Sequence, residues 1–156
     1  MQRKDREVTE RADIADILAR APVIRLGING SPYPYVVPVN FGYEEKDGEL
    51  RIYIHGAKIG RKHDLLAADP HVCVEADHFY GYEETAAGGL SCGYESIIGL
   101  GKAHIAEGEE AVHGMNLICT HCGYDGYEFD THGLTFMRIY KIILTTVTGK
   151  RRALEK

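Results

Sequence analysis

Val23-Ile24-Arg25-Leu26-Gly27-Ile28, followed by Asn29-Gly30-Ser31-Pro32 and then Tyr35-Val36-Val37-Pro38-Val39-Asn40-Phe41-Gly42-Tyr43, decides the class of fold. Two β-rich runs flank a turn signal, and Asn-Gly favours a tight hairpin. Pro38 has no N–H to give to a ladder, so the return strand is expected at a sheet edge or broken at that point. Lys46-Asp47-Gly48 makes the next hairpin turn. Beyond it Leu50, Ile52 and Ile54 fall on one face of a strand and Arg51 and Tyr53 on the other. Connections this short cannot hold the crossover helices of a parallel sheet. The Gly-x-Gly-x-x-Gly fingerprint is also missing after the first strand. The pattern predicts antiparallel strands closing into a small β-barrel.

Outward from that core, Thr9 to Arg20 reads as a helix. Thr9 is placed to cap it, Ile14, Ile17 and Leu18 share one face, Asp13 and Asp16 lie on the solvated side, and Pro22 ends it. Gly60 to Ala68 is a short helix closed by Pro70, and Val72 to Ala76 a strand. Phe79 to Gly93 is irregular and glycine-rich and is expected to be a long mobile loop. Glu95 to Ile105 reads as a strand bulged at Gly99 and Gly101, Glu109 to Thr120 as a helix, and Leu134 to Val147 as a long apolar strand before the basic end Thr148-Gly149-Lys150-Arg151-Arg152. No repeat or linker interrupts the chain, so residues 1–156 are expected to form a single domain.

Composition excludes several classes. Lys plus Arg number 18 against 23 Asp plus Glu, a formal charge of −5, which argues against a nucleic-acid binder because phosphate neutralisation needs a basic surface. Hydrophobic residues make up 44% and charged residues 26%, which suits a folded domain and not a disordered chain. No apolar stretch approaches the roughly 20 residues of a membrane helix. Met1-Gln2-Arg3-Lys4-Asp5-Arg6-Glu7 has no apolar run behind it and does not read as a signal peptide. The expectation is a cytoplasmic protein without membrane contact whose 4 cysteines are reduced thiols.

Chemistry concentrates in His55-Gly56-Ala57-Lys58-Ile59-Gly60-Arg61-Lys62. A strand ends, a glycine-containing loop follows, and two adjacent cations open a helix. Backbone N–H groups at a helix start carry partial positive charge and suit a phosphate. Arg binds phosphate oxygens bidentately and Lys adds a point charge. Gly56 and Gly60 let the backbone approach the anion. Against this, Arg61 and Lys62 read equally as ordinary surface cations, although cations at a helix N-terminus oppose its dipole by ~0.3–1 kcal/mol.

The chain resembles the nitroimidazole-resistance branch of the pyridoxamine 5′-phosphate oxidase-like, FMN-binding split-barrel superfamily. The resemblance spans nearly the whole chain. It rests on the joint order of residues 3–7, residues 35–43, the His55 to Lys62 segment with Asp64-Leu65-Leu66, Asp69-Pro70-His71-Val72-Cys73, Tyr94-Glu95-Ser96-Ile97-Ile98-Gly99, and Thr148-Gly149-Lys150-Arg151. It implies a fold that is mainly β with short helices, a six-stranded antiparallel split β-barrel of the FMN-binding type. It also implies a homodimer with FMN at the interface. Arg61 and Lys62 would hold the FMN phosphate, with Lys58 and Gly60 in the same loop. His55, Gly56 and Ala57 would lie along the ribityl chain and ring. Pro38, Val39, Asn40 and Phe41 would offer backbone groups to the ring edge, and Ser96 would reach the flavin from the second subunit. The implied activity is reduction of a small, electron-poor, nitroaromatic-like substrate, with NAD(P)H as the donor and His55 as the candidate catalytic residue. No basic set near the C-terminus matches the substrate-phosphate residues of the pyridoxamine phosphate oxidases themselves, which argues against vitamin B6 oxidation. The alternative is a non-catalytic flavin- or haem-binding protein on the same barrel.

Other residues carry weaker signals. Cys119-x-x-Cys122 with His121 and His113 invites a metal or redox reading. The paired spacing of a four-ligand zinc site is missing, so buried packing thiols are the plainer reading and no metal is assigned. His55 reads equally as a proton donor facing the flavin and as a strand-end histidine bonded to a carbonyl. His63, His71, His78, His104 and His132 have no nameable partner and default to the surface. Tyr94 and Tyr124 could stack on a ligand but read first as packing residues. Glu83-Glu84 reads as solvated loop, and Lys150-Arg151-Arg152 as a surface tail.

Overall fold

A computed structural model describes residues 3–154. Met1 and Gln2, which the signal-peptide reading includes, and the last two residues of the expected 1–156 domain lie outside the described residues. The strands are β1 (Glu7–Val8), β2 (Ile24–Ile28), β3 (Tyr35–Val39), β4 (Phe41–Lys46), β5 (Glu49–Ala57), β6 (His71–Glu84), β7 (Leu90–Ala106) and β8 (Met137–Arg152). The helices are α1 (Arg11–Arg20), α2 (Arg61–Ala68) and α3 (Gly108–His121). Two short 3-10 turns, Lys4–Arg6 and Thr131–Phe136, complete the elements.

The strands pair in the order β3-β2-β6-β7-β8-β5-β4, every pairing antiparallel, with β1 added to β8. The two edges of this sheet, β3 and β4, are consecutive in sequence with only Asn40 between them. One bent strand therefore leaves the sheet at one edge and re-enters at the other, closing the barrel through the chain and not through a ladder. Counted by ladders there are eight strands. With β3 and β4 taken as one bent strand and two-residue β1 set aside, the six of the split barrel remain. Pro38 sits in edge strand β3, opposite Arg25, where its missing N–H costs no central ladder bond.

The Asp47-Gly48 turn has φ of 55° and 77°, the left-handed pair that a two-residue hairpin requires. The Asn29-Gly30 signal behaves differently. Pairing stops at Ile28↔Tyr35, so residues 29–34 form a longer loop, with Pro32 and Pro34 inside it, and not the tight hairpin expected. The expected mobile loop over 79–93 is also corrected. β6 and β7 continue as a hairpin to Glu84↔Leu90, with a register shift at Phe79/Gly81 and Thr85 N–H bonded to the Gly89 carbonyl at 2.7 Å. Gly81, at φ 130°, absorbs that bulge, which is why the glycines disguised a strand. Glu83 and Glu84 accordingly lie in β6. The bulge expected near Gly99 and Gly101 falls between Leu100 and Gly101 in the β7–β8 pairing. α1 begins at Arg11 after Glu10, without a side-chain cap, so Thr9 does not cap it. β8 starts at Met137, with Leu134 in the preceding 3-10 turn, and runs through the basic end to Arg152.

Two cores flank β5. Ile52 and Ile54 face the barrel interior with Ile24, Leu26, Phe41, Val74, Ile97 and Ile142, and α1 plugs one end with Ile14, Ile17 and Leu18. Each such side chain contributes about 1.5–3 kcal/mol. Tyr53, on the opposite face, is equally buried beneath α3 with Ala111, Ile118 and Ile139. α3 approaches so closely that a Cβ at Gly42 would lie 2.3 Å from the Leu117 backbone. The Tyr53 hydroxyl is within 2.9 Å of Glu44 and 2.8 Å of Glu110, and these carboxylates are held in turn by His113 and Lys141.

Candidate functional site

β5 runs out of the barrel at His55-Gly56-Ala57, and α2 begins four residues later at Arg61. Lys62 Nζ donates to the His55 carbonyl at 2.9 Å. This folds the ammonium back across Gly56, where a Cβ would lie 2.7 Å from Nζ and 2.8 Å from Cε. Gly56 is thus the floor of a cradle that any larger residue would fill. Burial lowers the Lys62 pKa, the mark of a partly dehydrated cation. The Arg61 guanidinium lies 5.2 Å over the Tyr35 ring. Among the described residues no carboxylate pairs with either cation. Gly60 precedes α2 at φ 122° and offers no side-chain cap, so the first-turn N–H groups remain available to an anion. The next residue, His63, shares a 2.8 Å hydrogen bond with the buried Tyr140 hydroxyl and pins this turn to β8.

His55 is half-buried, and burial followed by the charge of Lys62 lowers its pKa, so the imidazole is held neutral. It opens onto a cleft of about 450 Å³. Asn40 joins it from the bend between β3 and β4. Cys119 and Cys122 come from the end of α3, and Tyr124 and Tyr127 from the segment beyond. Because β3 and β4 each have a neighbour on one side only, their outward backbone groups around Val39 and Asn40 belong to no ladder. The cleft therefore has a largely apolar wall with two cysteines, a neutral imidazole and an unspent strand edge, next to the Arg61–Lys62 cation pair.

The other expected site residues are distributed as follows. Pro38 is exposed and Val39 half-buried; Phe41 is fully buried, its ring 4.2 Å from that of His121, so only its backbone can serve a ligand. Ala57, Lys58 and Gly60 are exposed, and Lys58 lines a separate cleft of about 760 Å³ with Glu107 and Arg138. That cleft is larger but is lined by neither His55 nor the Arg61–Lys62 pair. Ser96 is not brought to the site within one chain. It pairs with Lys150, whereas His55 pairs with Ile139, eleven positions away on β8. That is roughly 35 Å along the strand.

Several polar residues have partners that sequence reading missed. Glu95, 2% exposed, accepts from Arg20 at 2.6 Å, Tyr80 at 2.6 Å and Arg151 at 2.9 Å. Burial pushes its pKa up, but these hydrogen bonds carry it net below the usual carboxylate range. Arg151 also reaches Asp13 at 3.0 Å, so the basic end is a latch onto α1 and not a surface tail. His63 is half-buried against Tyr140, and His71 pairs with Asp69 at 2.7 Å. Tyr94 packs between Arg6 and Lys150, whereas Tyr124 is exposed in the cleft wall. Apart from the local His71–Asp69 pair, these contacts join residues far apart in sequence and appear only once the chain is folded. Among the described residues no group of three or more His, Cys, Asp or Glu side chains is placed to hold a metal ion, and no helix is long and apolar enough to cross a membrane.

Comparison with known proteins places this geometry in context. The sequence family described as pyridoxamine 5′-phosphate oxidase matches residues 10–151. No curated protein matches the sequence. Among solved structures, a candidate 5-nitroimidazole antibiotic resistance protein from Bacteroides thetaiotaomicron superposes with a TM-score of 0.83 at 26% identity, covering 93% of this chain and 86% of that one. The flavocytochrome Anf3 from Azotobacter vinelandii superposes at 0.75 with 18% identity over 96% of this chain and 72% of its own. A FAD- and haem-binding protein from Mycobacterium smegmatis gives 0.74 with 15% identity over 97% and 76%. The last two likenesses establish the fold alone.

Proposed function

The chain belongs to the pyridoxamine 5′-phosphate oxidase family, and from that membership we propose that it binds FMN and acts as a flavin-dependent oxidoreductase. Its acceptor would be a small, flat, electron-poor molecule of the nitroaromatic kind, and its donor a reduced nicotinamide. The observation that carries this reading is the cradle over Gly56: a half-buried Lys62 and an adjacent Arg61, both without carboxylate partners among the described residues, at an uncapped helix start. One anion site of this size suits the single phosphate of FMN. Arg61 would take two phosphate oxygens and Lys62 would add its charge. When bound, the flavin ring supplies the hydride chemistry. The Val39–Asn40 edge would hold the ring by backbone contacts. The neutral His55 would orient an acceptor in the cleft by donating its ring N–H.

We place two such sites in a symmetric homodimer. Val36, Gly27, Cys73 and Leu100 stand side by side across four strands, and Val36, Leu100 and the nearby Ile98 are 61%, 51% and 48% exposed. An uncovered apolar stripe of this kind favours a second copy. Ser96, remote from His55 within one chain, would enter the site from that copy.

Anaerobic mixing of the FMN-loaded protein with NADH or NADPH tests the activity. The expected result is bleaching of the flavin bands and their return on addition of a nitroaromatic. Bound flavin that is neither reduced by a nicotinamide nor reoxidised by an acceptor overturns the enzyme reading. The uncharged His55 imidazole, the form that ligates iron, favours haem binding as the second reading. That reading requires a Soret band on haemin titration that is lost in His55→Ala.

A further inference from the structure

Cys119 lies in the last turn of α3 and Cys122 is the residue that ends the helix. Both residues line the cleft that holds His55. Residues three apart are neighbours on a helix surface. Cys122 N–H donates to the Ile118 carbonyl at 3.0 Å, so the pair spans an α-helical turn, which then closes with Gly123 N–H on the Thr120 carbonyl at 3.0 Å. Residues three apart on such a turn have Cα atoms about 5 Å apart, within the range a disulfide spans. His121, between them, points elsewhere: its Nε2 is 2.7 Å from the Ala21 carbonyl and its ring lies tilted against Phe41, centroids 4.2 Å apart. The end of α3 is therefore anchored to the barrel by His121, while Cys119 and Cys122 both line the cleft.

We propose that Cys119 and Cys122 are a reversible dithiol–disulfide site in the cleft wall, oxidised by low-molecular-weight disulfides, and that its state sets how firmly the Tyr124 side of the cleft is held. Cys122 is exposed and Cys119 half-buried, and burial followed by the proximity of Cys122 raises the Cys119 pKa. Cys122 is accordingly the attacking thiol. Its thiolate attacks one sulfur of the small disulfide, and one small thiol leaves. The Cys119 thiolate then attacks the Cys122 sulfur of the mixed disulfide, and the second small thiol leaves. The protein loses two hydrogens as the small disulfide is reduced to two thiols, and excess thiol reverses the exchange. The link to the cleft is the turn itself. Tyr124 N–H donates to the Cys119 carbonyl at 2.9 Å, and Gly123, at φ 88°, swings the chain so that Tyr124 joins the same cleft. A bond between the sulfurs locks the turn that carries Tyr124. This inference stands apart from the flavin reading and does not need it.

The test treats the intact protein with oxidised glutathione, alkylates the remaining thiols and maps the peptides by mass. The expected product has one Cys119–Cys122 disulfide, with Cys73 and Cys92 alkylated, and dithiothreitol restores four free thiols. Cys119→Ser should stop at a glutathione adduct on Cys122, and Cys122→Ser should form no disulfide at Cys119. Four alkylated cysteines after treatment, a bond to Cys73 or Cys92, or an unmodified Cys122 in Cys119→Ser would each overturn the site. Hydrogen–deuterium exchange across 120–129 reads the coupling. Exchange at Tyr124 should slow several-fold on oxidation of the wild type and not in Cys122→Ser. Identical exchange in the reduced and fully oxidised protein would overturn the coupling to the cleft.

Discussion

Gly56→Ala isolates the cradle from the fold. The added Cβ would meet Lys62 Nζ at 2.7 Å and Cε at 2.8 Å, both at the far end of a flexible side chain. Lys62 can swing away, so the backbone need not move. Alanine also suits a strand interior better than glycine by roughly 0.5–1 kcal/mol, which offsets part of the lost Lys62–His55 bond. Fold stability should therefore change by no more than about 1 kcal/mol. The anion site should suffer more, because the ammonium leaves the α2 start. A hydrogen bond to a charged group is worth about 1.5–3 kcal/mol, which corresponds to roughly 10- to 150-fold in FMN affinity. Fluorescence titration of FMN reads the affinity, and thermal unfolding reads the stability. Lys62→Ala and the double variant complete a cycle. If Gly56 acts only by seating Lys62, the double variant should be no weaker than Lys62→Ala alone. Unchanged FMN affinity in Gly56→Ala, or two losses that simply add, would refute this reasoning.

Three further outcomes follow from other parts of the structure. Arg61→Ala should weaken FMN by about 1.5–3 kcal/mol and leave the urea midpoint unchanged; full affinity would remove Arg61 from the site. Glu95→Gln should destabilise the fold by about 3 kcal/mol, the low end for breaking a buried ion pair because Arg20 and Arg151 reach solvent; a change below about 1 kcal/mol in urea unfolding would show that the network carries little. His55 has a lowered folded-state pKa, so on acidification the unfolded chain takes up a proton there first. Stability should fall as pH drops through about 6.5 and stop falling from this source once the folded pKa is passed. His55→Gln should remove that increment, and equal acid slopes in both proteins would contradict it.

Local signals made much of the fold legible. The Asp47-Gly48 turn, the alternation through Leu50 to Ile54, and the spacing of Ile14, Ile17 and Leu18 each act over a few residues, and each appears in the structure. Pro38 announced an edge, although not that β3 and β4 are the two edges of one sheet. What misled were residues that serve two purposes. Gly81 marks a bulge within a strand, yet in sequence it reads as loop. Asn29-Gly30 signalled a tight turn where the loop runs on to residue 34, with Pro32 and Pro34 inside it. At the site, Arg61, Lys62 and Gly56 stood out because they are adjacent in sequence. The union of His55 with Asn40, Cys119 and Tyr124 did not, because α3 and the β3–β4 bend meet only in the folded barrel. The Glu95 network was hidden for the same reason, its members lying on α1, β6, β7 and β8.

If the Arg61–Lys62 cradle holds the phosphate of FMN, removing both cations should release the flavin. The most direct measurement is an absorbance spectrum of the protein loaded with FMN and then desalted, beside Arg61→Ala/Lys62→Ala treated identically. Flavin bands should stay with the wild type at close to one equivalent per chain and be lost from the double variant. Wild-type protein emerging without flavin, or a double variant that retains it fully, would show that these two cations do not hold FMN.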